Sequence, residues 1–269
     1  MKPVAITPLS KAKLQKYARL HQKKFRDQEG LFLAEGLRTV RELCLNLPVE
    51  EMLVALLVRE GEAEAARFAQ PWKGKLFSIN EKECSQLAET ATSQGIFGVF
   101  RQQPSPDPAT ETLPAKSVKS FMVALDDVQD PGNVGTILRT AVWFGADALI
   151  CSKGTVDRYN PKAVRSCAGS IYAIRHYGVD RLDLELRRLQ KQGYCIVCSS
   201  LEGKDFREFS SWPAKQVLVI GNEANGISEP VRALADRLVR IPHGGANVRV
   251  ESLNAAVSAA ILMERMVLL

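Results

Sequence analysis

The sequence predicts an α/β protein, with a mostly parallel sheet in the larger C-terminal part of the chain and a smaller α/β unit before it. Three observations predict this. Apolar runs of strand length alternate with amphipathic helix-length segments over residues 119–269, the pattern of a sheet covered on both faces. A shorter version of the same alternation runs from residue 31 to residue 100. Between the two lies RQQPSPDPATETLPAKSVKS, with four prolines and no apolar periodicity, a composition suited to an extended tether. The domains are therefore placed at 1–102 and 119–269, joined by a linker over 103–118.

The first domain opens on a charged segment. Eight of the 36 Lys and Arg residues precede Asp27 with no acid among them, so the remainder, which holds all 30 acidic residues, is slightly acidic. In SKAKLQKYARLHQKKFR, Ser10 caps a helix on which Leu14, Tyr17, Ala18, His21 and Phe25 form one stripe, leaving the cations around the rest. Lys13, Lys16, Lys23, Lys24 and Arg26 then form a positive field suited to a polyanion, most simply the phosphates of a nucleic acid. A solvated lysine face is the plain alternative.

The order of elements follows from punctuation and periodicity. In the first domain it is strand FLAEG, a helix from Leu37 to Asn46, strand MLVALLV, a short polar helix, strand KLFSI, helix EKECSQLAE and strand IFGVF. The second begins with strand FMVALDDV, helix VGTILRTAVWF, strand ADALICS, helix PKAVRSCAGS, strand IYAIRHY, helix LDLELRRLQKQ and strand YCIVCSS. It ends with strand QVLVI, helix SEPVRALA, strand RLVRI and helix SLNAAVSAAILMERMVLL. Small residues in this last helix permit close approach, inside the subunit or across to a partner.

Several chemistries are excluded or left without support. No apolar run approaches bilayer length and the N-terminal stretch has no apolar core of a signal peptide, so a soluble, cytoplasmic protein is expected. Six dispersed cysteines suit a reducing compartment, and Cys195 and Cys198 point to opposite faces of a strand, which argues against a shared metal. There is no HExxH, GxSxG, GxxxxGK[ST] or GxGxxG motif, so metal hydrolysis, acyl transfer and a phosphate cradle all lack their residues.

What remains is three loops at the carboxyl ends of strands, where open α/β sheets bind ligands: 126–141, 221–230 and 241–256. Their glycines allow close backbone approach, and Asn133, Glu223, Ser252 and Asn254 add directional hydrogen-bonding groups. Each of these four also has a plain reading as a helix cap or a partner of a helix N terminus.

Taken in order, NVGTILRTA…FGAD, NPKAVRSCAGS, VLVIGNEANGIS and IP…ESLNAAVSAAILMER resemble the successive motifs of the SpoU/TrmH family of RNA 2′-O-methyltransferases, in the SPOUT superfamily, over 121–269. KYARLHQKKFRDQEGLFLAEGLRTVRE is similar to the opening of the L30e-like RNA-binding domain that many members carry. The resemblance implies a C-terminal trefoil knot and an S-adenosylmethionine site that includes Gly221, Asn222, Glu223, Gly226, Ile241, Pro242, Ser252, Leu253 and Asn254. It also implies that Arg139 activates a ribose hydroxyl, with Asn133, Glu223, Ser252 and Asn254 completing the catalytic set, and that Arg165 joins the RNA-binding cations.

Arg resists deprotonation, so Arg139 is better read as gripping a phosphate and stabilising developing alkoxide charge than as a base. His243, in the third loop, is a rival base, and His176 is read as a strand-end histidine. The family is dimeric through its catalytic domain, so a homodimer is expected, with structured RNA as substrate, 23S rRNA foremost. Transfer RNA, or a non-catalytic RNA-binding or ribosome-assembly role, stays open. One departure is the stretch HGGANVRVE between IP and SLN, longer than the family's usual glycine-containing segment. Gly244, Gly245 and Ala246 suggest a mobile lip there, and Arg249 a phosphate contact.

Overall fold

Apolar runs such as IFGVF, FMVAL and QVLVI become buried strands. The structure, a computed structural model, describes residues 6–90, 92–105, 119–245 and 250–268. Most of the proposed linker, and Ala246 and Arg249 of the long loop, lie outside the described residues. Two compact units are present: Met1–Gln103 together with Asp157–Tyr172, and Pro104–Val156 together with Ala173–Leu269. The stretch Asp157–Tyr172, grouped with the C-terminal domain by sequence, thus belongs to the first unit.

In the first unit β1 (Thr7–Pro8), β2 (Leu31–Glu35), β3 (Leu53–Arg59), β4 (Leu76–Ile79) and β5 (Ile96–Arg101) form a mixed sheet in the order β1-β4-β3-β5-β2. Its helices are α1 (Lys11–Ala18), α2 (Lys23–Glu29), α3 (Leu37–Leu45), α4 (Ala63–Ala69) and α5 (Glu81–Leu87). A reciprocal box between Asn80 and Glu83 starts α5. Leu14, Tyr17 and Leu20 pack into the core with Leu33, Leu57, Leu87 and Phe97.

The single N-terminal helix expected from sequence is two helices. A 3-10 turn at Arg19–His21 and an extended Gln22 (φ −94, ψ 130) break it. The break has a physical cause in Arg26, which is 2% exposed. Its Nη1 donates to the carbonyls of Leu20 at 2.9 Å and His21 at 2.8 Å. Its Nε and Nη2 donate to Asp157 Oδ2 at 3.0 and 2.7 Å. A buried guanidinium that satisfies both the freed carbonyls and a carboxylate outweighs the helical continuity suggested by the stripe.

The second unit holds one six-stranded sheet in which every neighbouring pair is parallel, as the alternating pattern predicted. Its strands are β6 (Ser120–Asp126), β7 (Ala148–Ser152), β8 (Arg175–Val179), β9 (Cys195–Asp205), β10 (Lys215–Gly221) and β11 (Arg237–Arg240), in the order β11-β9-β10-β6-β7-β8. The helices are α6 (Pro131–Trp143), α8 (Leu182–Lys191), α9 (Glu229–Arg232) and α10 (Ala255–Leu268), while α7 (Pro161–Ser166) falls in the first unit. One sheet face packs Met122, Ile150, Tyr177 and Val219 against Leu186 and Leu189 of α8. The last helix lies against α6 and β10, with Ala256 and Ala259 buried, so these two small residues serve packing inside the subunit.

Among the boundaries that differ from the sequence reading, the largest changes are at α7, β8 and β9. The helix expected over PKAVRSCAGS stops at Ser166, because Ala168 (φ 46) and Gly169 (φ 79) take left-handed backbone. Ile171 and Tyr172 then belong to a 3-10 turn, and the strand begins only at Arg175. At the other extreme, β9 runs to Asp205, its first half pairing with β10 and its tail with β11 after a register shift. A Cβ on Gly203 would sit 2.6 Å from the backbone of Leu238 and Val239, so glycine is what permits that close crossing.

Candidate active site

Strand register builds the site. β6 and β10 pair in parallel from Ser120 opposite Lys215 to Asp126 opposite Gly221, so the loops that follow leave the sheet side by side. A Cβ on Gly221 would lie 2.3 Å from the carbonyl carbon of Gly226, which is why the second loop starts on glycine. There Asn222 and Gly226 exchange both backbone hydrogen bonds at 2.9 Å, closing a tight turn with Gly226 at φ +70. The Asn222 side chain accepts from the amides of Ala224 and Asn225, and its Nδ2 donates to the Asp127 carbonyl at 2.8 Å, tying one loop to the other.

Glu223 completes that tie. Its Oε2 accepts from the Gln129 amide at 3.1 Å, and its Oε1 accepts from the Asp130 amide at 3.1 Å and Asn133 Nδ2 at 2.9 Å. Burial pushes this carboxyl up, but the bonds from Asn133 and the two backbone amides outweigh it and hold Glu223 below its ordinary value. Glu223 is therefore an ionised, acceptor-only group near neutral pH. Asn133 must turn its amide nitrogen toward it, which leaves Asn133 Oδ1 to accept from Asn254 Nδ2 at 2.9 Å. Asn254 Oδ1 in turn accepts from the amides of Ala256 and Val257 at the start of α10.

This chain links all three loops. Asn254 caps the last helix and belongs to the network at once, so capping and function are not rivals there. Asn133 does not cap α6, because Asp130 does, accepting from the Asn133 amide at 2.9 Å. Ser252 stands exposed before the helix, and among the described residues it is Asn254, not Ser252, that accepts from the first amides of α10.

Beside the network opens a cleft of about 830 Å³. Of the residues expected to bind a cofactor, it is lined by Gly221, Asn222, Glu223, Gly226, Ile241, Ser252, Leu253 and Asn254, but Pro242 is not in its wall. The cleft is also lined by residues that the sequence did not single out: Ser199, Ser200, Leu201 and Glu202 from β9 and Arg232 from α9. The only sequence signal for them was the polar run that follows YCIVC. Asn133 lies one bond behind the cleft. Arg139 is exposed on α6, about 240° around the helix from Asn133, and is not in the cleft wall. His243 is exposed and outside the wall too, and His176 is half-buried in β8.

The cations expected to bind RNA all fall in the first unit. Lys13 lies over the Phe77 ring at 4.2 Å. Lys16 pairs with Glu29 and Lys23 with Asp27, each at 2.5 Å and each with an exposed lysine, and Lys24 is exposed. Arg165 meets Glu89 at 3.1 Å, a carboxylate that His21 also approaches at 3.1 Å. Arg26 is a correction: it is buried with its donors committed to Asp157, Leu20 and His21, and cannot reach a phosphate in this fold.

Cys198 is buried and its thiol is pushed up to about 12 by that burial, consistent with an inert strand cysteine. Among the described residues there is no His/Cys/Asp/Glu cluster able to hold a metal, and no helix long and apolar enough to cross a membrane.

The fold and cleft define a parallel-sheet α/β protein with a cleft at the carboxyl ends of its strands and a separate α/β companion unit. The model of the SpoU rRNA Methylase family matches residues 120–264, and that of the MRM3-like substrate binding domain matches residues 11–98. The chain belongs to the SpoU rRNA methylase family. It is 32% identical over 257 residues to the 23S rRNA (guanosine(2553)-2′-O)-methyltransferase RlmP of Bacillus subtilis (strain 168), covering 93% of this chain and 94% of that one. Among solved structures, it is similar to the AdoMet-bound rRNA methyltransferase of Sinorhizobium meliloti, with TM-score 0.77, 30% identity and coverage of 97% and 95%. It is likewise similar to the SpoU methyltransferase AviRb of Streptomyces viridochromogenes in complex with AdoMet, with TM-score 0.79, 26% identity and coverage of 95% and 97%.

Proposed function

We propose that this chain transfers a methyl group from S-adenosylmethionine to the ribose 2′-hydroxyl of a nucleotide in ribosomal RNA, with 23S rRNA foremost. The observation that carries the reading is the hydrogen-bonded chain Glu223–Asn133–Asn254, which joins the three motif loops on the edge of one cleft.

The cleft fits the cofactor in size and in character. A volume of about 830 Å³ is of the order that encloses a nucleoside-sized ligand. Leu201, Ile220, Ile241, Leu253 and Leu262 offer apolar walls for a base, while the Gly221 loop brings backbone close. When bound, S-adenosylmethionine supplies an electrophilic methyl on a sulfonium. The residues of the chain have three tasks. Gly221, Ile241 and Leu253 would hold the cofactor, the Glu223–Asn133–Asn254 chain fixes the loops that present it, and Arg139 would grip a phosphate and stabilise charge developing on the ribose oxygen. Glu223, already ionised and engaged by three donors, is a positioning residue.

Five further readings go with this one. The first unit, through Lys13, Lys16, Lys23, Lys24 and Arg165, holds structured RNA. Two copies pair through the second unit, no metal is required, and the chain works in the cytoplasm. The C-terminal segment is threaded as a trefoil knot; supporting this, α10 follows the last strand and returns to α6, with Asn254 bonded to Asn133.

The test is methyl transfer to ribosomal RNA from cells lacking the gene, followed by mapping of ribose methylation. Incorporation at one nucleotide is expected. Cofactor binding without incorporation into ribosomal RNA would move the reading to transfer RNA or to a non-catalytic RNA-binding role.

A further inference from the structure

The cleft wall carries one feature the proposed reaction has not used. Glu202, from the tail of β9, and Arg232, from α9, form an ion pair on the same wall. Among the described lining residues Arg232 is the one cation, facing a lining that also holds Glu223 and Glu251. The two partners are not interchangeable with other lining groups. Glu223 is taken up by three donors, whereas the only hydrogen bond described for the Arg232 guanidinium is the one through Nη2 to Glu202 Oε2. A guanidinium has five N–H donors in a fixed fork, so most of its capacity faces the cleft or solvent.

The methionine end of S-adenosylmethionine is a zwitterion, an α-carboxylate beside an α-ammonium. A guanidinium–carboxylate pair presents the complementary arrangement, cation to carboxylate and anion to ammonium. In a wall otherwise lined by carboxylates and neutral groups, an incoming carboxylate meets repulsion except at Arg232.

We infer that Arg232 and Glu202 form a clamp for the amino-acid end of the cofactor, a specificity element resting on the methyl-transfer reading above. Both residues lie outside the three motif loops. The clamp reads charge, so it acts on every ligand that keeps the amino-acid end and ignores those that lack it.

Isothermal titration calorimetry on the full chain separates these ligands. The probes are S-adenosylmethionine, S-adenosylhomocysteine, and 5′-methylthioadenosine, which keeps the nucleoside and sulfur but has no amino-acid end. Arg232→Ala is expected to weaken the first two about tenfold, the size of one partly exposed charge-assisted bond, and to leave 5′-methylthioadenosine unchanged. Arg232→Lys is expected to recover part of the loss because it keeps the charge, and Glu202→Gln to weaken the same two ligands. Equal loss for all three ligands would reduce the pair to a strut of the cleft wall, and no loss for any would remove it from binding; either result overturns the clamp while the methyl-transfer reading stands. Wild-type protein that binds none of the three overturns both.

Discussion

Asn133 donates its amide hydrogen to Glu223 Oε1 at 2.9 Å while its own oxygen accepts from Asn254 at 2.9 Å, so one side chain of α6 holds together the loops after β10 and before α10. Removing it strands groups on both sides. Asn133→Ala is expected to destabilise the protein by about 1–3 kcal/mol, the usual cost of leaving part-buried partners unsatisfied, and to weaken S-adenosylmethionine binding. Urea denaturation and calorimetry measure the two effects. Unchanged affinity at lowered stability would detach the network from the cleft.

The same network sets a pH dependence. Glu223 is held below its ordinary value near 4.5 despite the burial that opposes this, so its contribution to stability is present above that value. It is lost as pH falls through the lowered folded value, where protonation turns an acceptor into a donor facing donors. Glu223→Gln should be less stable than wild type at neutral pH, and the gap should narrow in acid. Denaturation midpoints compared at neutral pH and well below 4.5 report this; a gap that widens on acidification contradicts the hydrogen-bond account.

How much of this was legible in the sequence depends on whether a feature is local. Strands such as QVLVI are local, and this one is the buried strand it reads as; the wording GNEANGIS is local too, and it forms a tight turn on the edge of the cleft. The bond from Glu223 to Asn133 spans 90 residues and is set by the in-register pairing of β6 with β10, which no local pattern encodes. Arg26 shows the opposite failure. Its neighbours Lys23 and Lys24 are exposed and it resembles them in sequence, yet its partner Asp157 lies 131 residues away and draws it inside. The wall formed by Glu202 and Arg232 was missed because β9 was expected to end before residue 202, whereas pairing with β11 extends it to Asp205.

That buried pair carries its own prediction. Arg26 and Asp157 have side chains only 3% and 13% exposed. Asp157→Asn leaves a buried guanidinium without its counter-charge, at an expected cost of about 3–5 kcal/mol. Replacing both residues with apolar ones of similar size should recover much of the loss, since desolvation of the charges disappears with them. Chemical denaturation of the single and double variants checks the cycle, and hydrogen exchange should show the break between α1 and α2 opening first in the single variant.

The role proposed for Arg139 predicts that binding and turnover separate. It is exposed and lies outside the cleft wall, so Arg139→Ala should leave S-adenosylmethionine affinity close to wild type. Methyl transfer should fall about a hundredfold or more, as when one charge-stabilising donor is removed from a reacting centre. Arg139→Lys should restore only part of it, because a point charge cannot reproduce a bidentate grip on phosphate. Single-turnover transfer measured beside calorimetry gives both numbers, and a variant with unchanged transfer would take Arg139 out of the reaction.

Exposed apolar side chains on α6 and α10 lead to the proposed homodimer. Trp143 is 83% exposed on α6, one turn after Arg139, and on α10, which packs against α6, Val257 and Leu268 are 48% and 66% exposed. A tryptophan left in water forgoes roughly 1.5–3 kcal/mol of burial, so a second copy covering this face gains from each protomer. The inward residues of α10, Ala256, Ala259, Leu262 and Met263, already face the subunit core, so only the outward stripe is free to meet a partner. A charge at the centre of that seam would face its own copy across a twofold axis. Trp143→Glu should therefore sediment as a monomer at micromolar concentration where the wild type sediments as a dimer, with circular dichroism unchanged. A wild-type monomer under those conditions would remove the dimer from the proposal, and a variant that still pairs would move the seam away from α6.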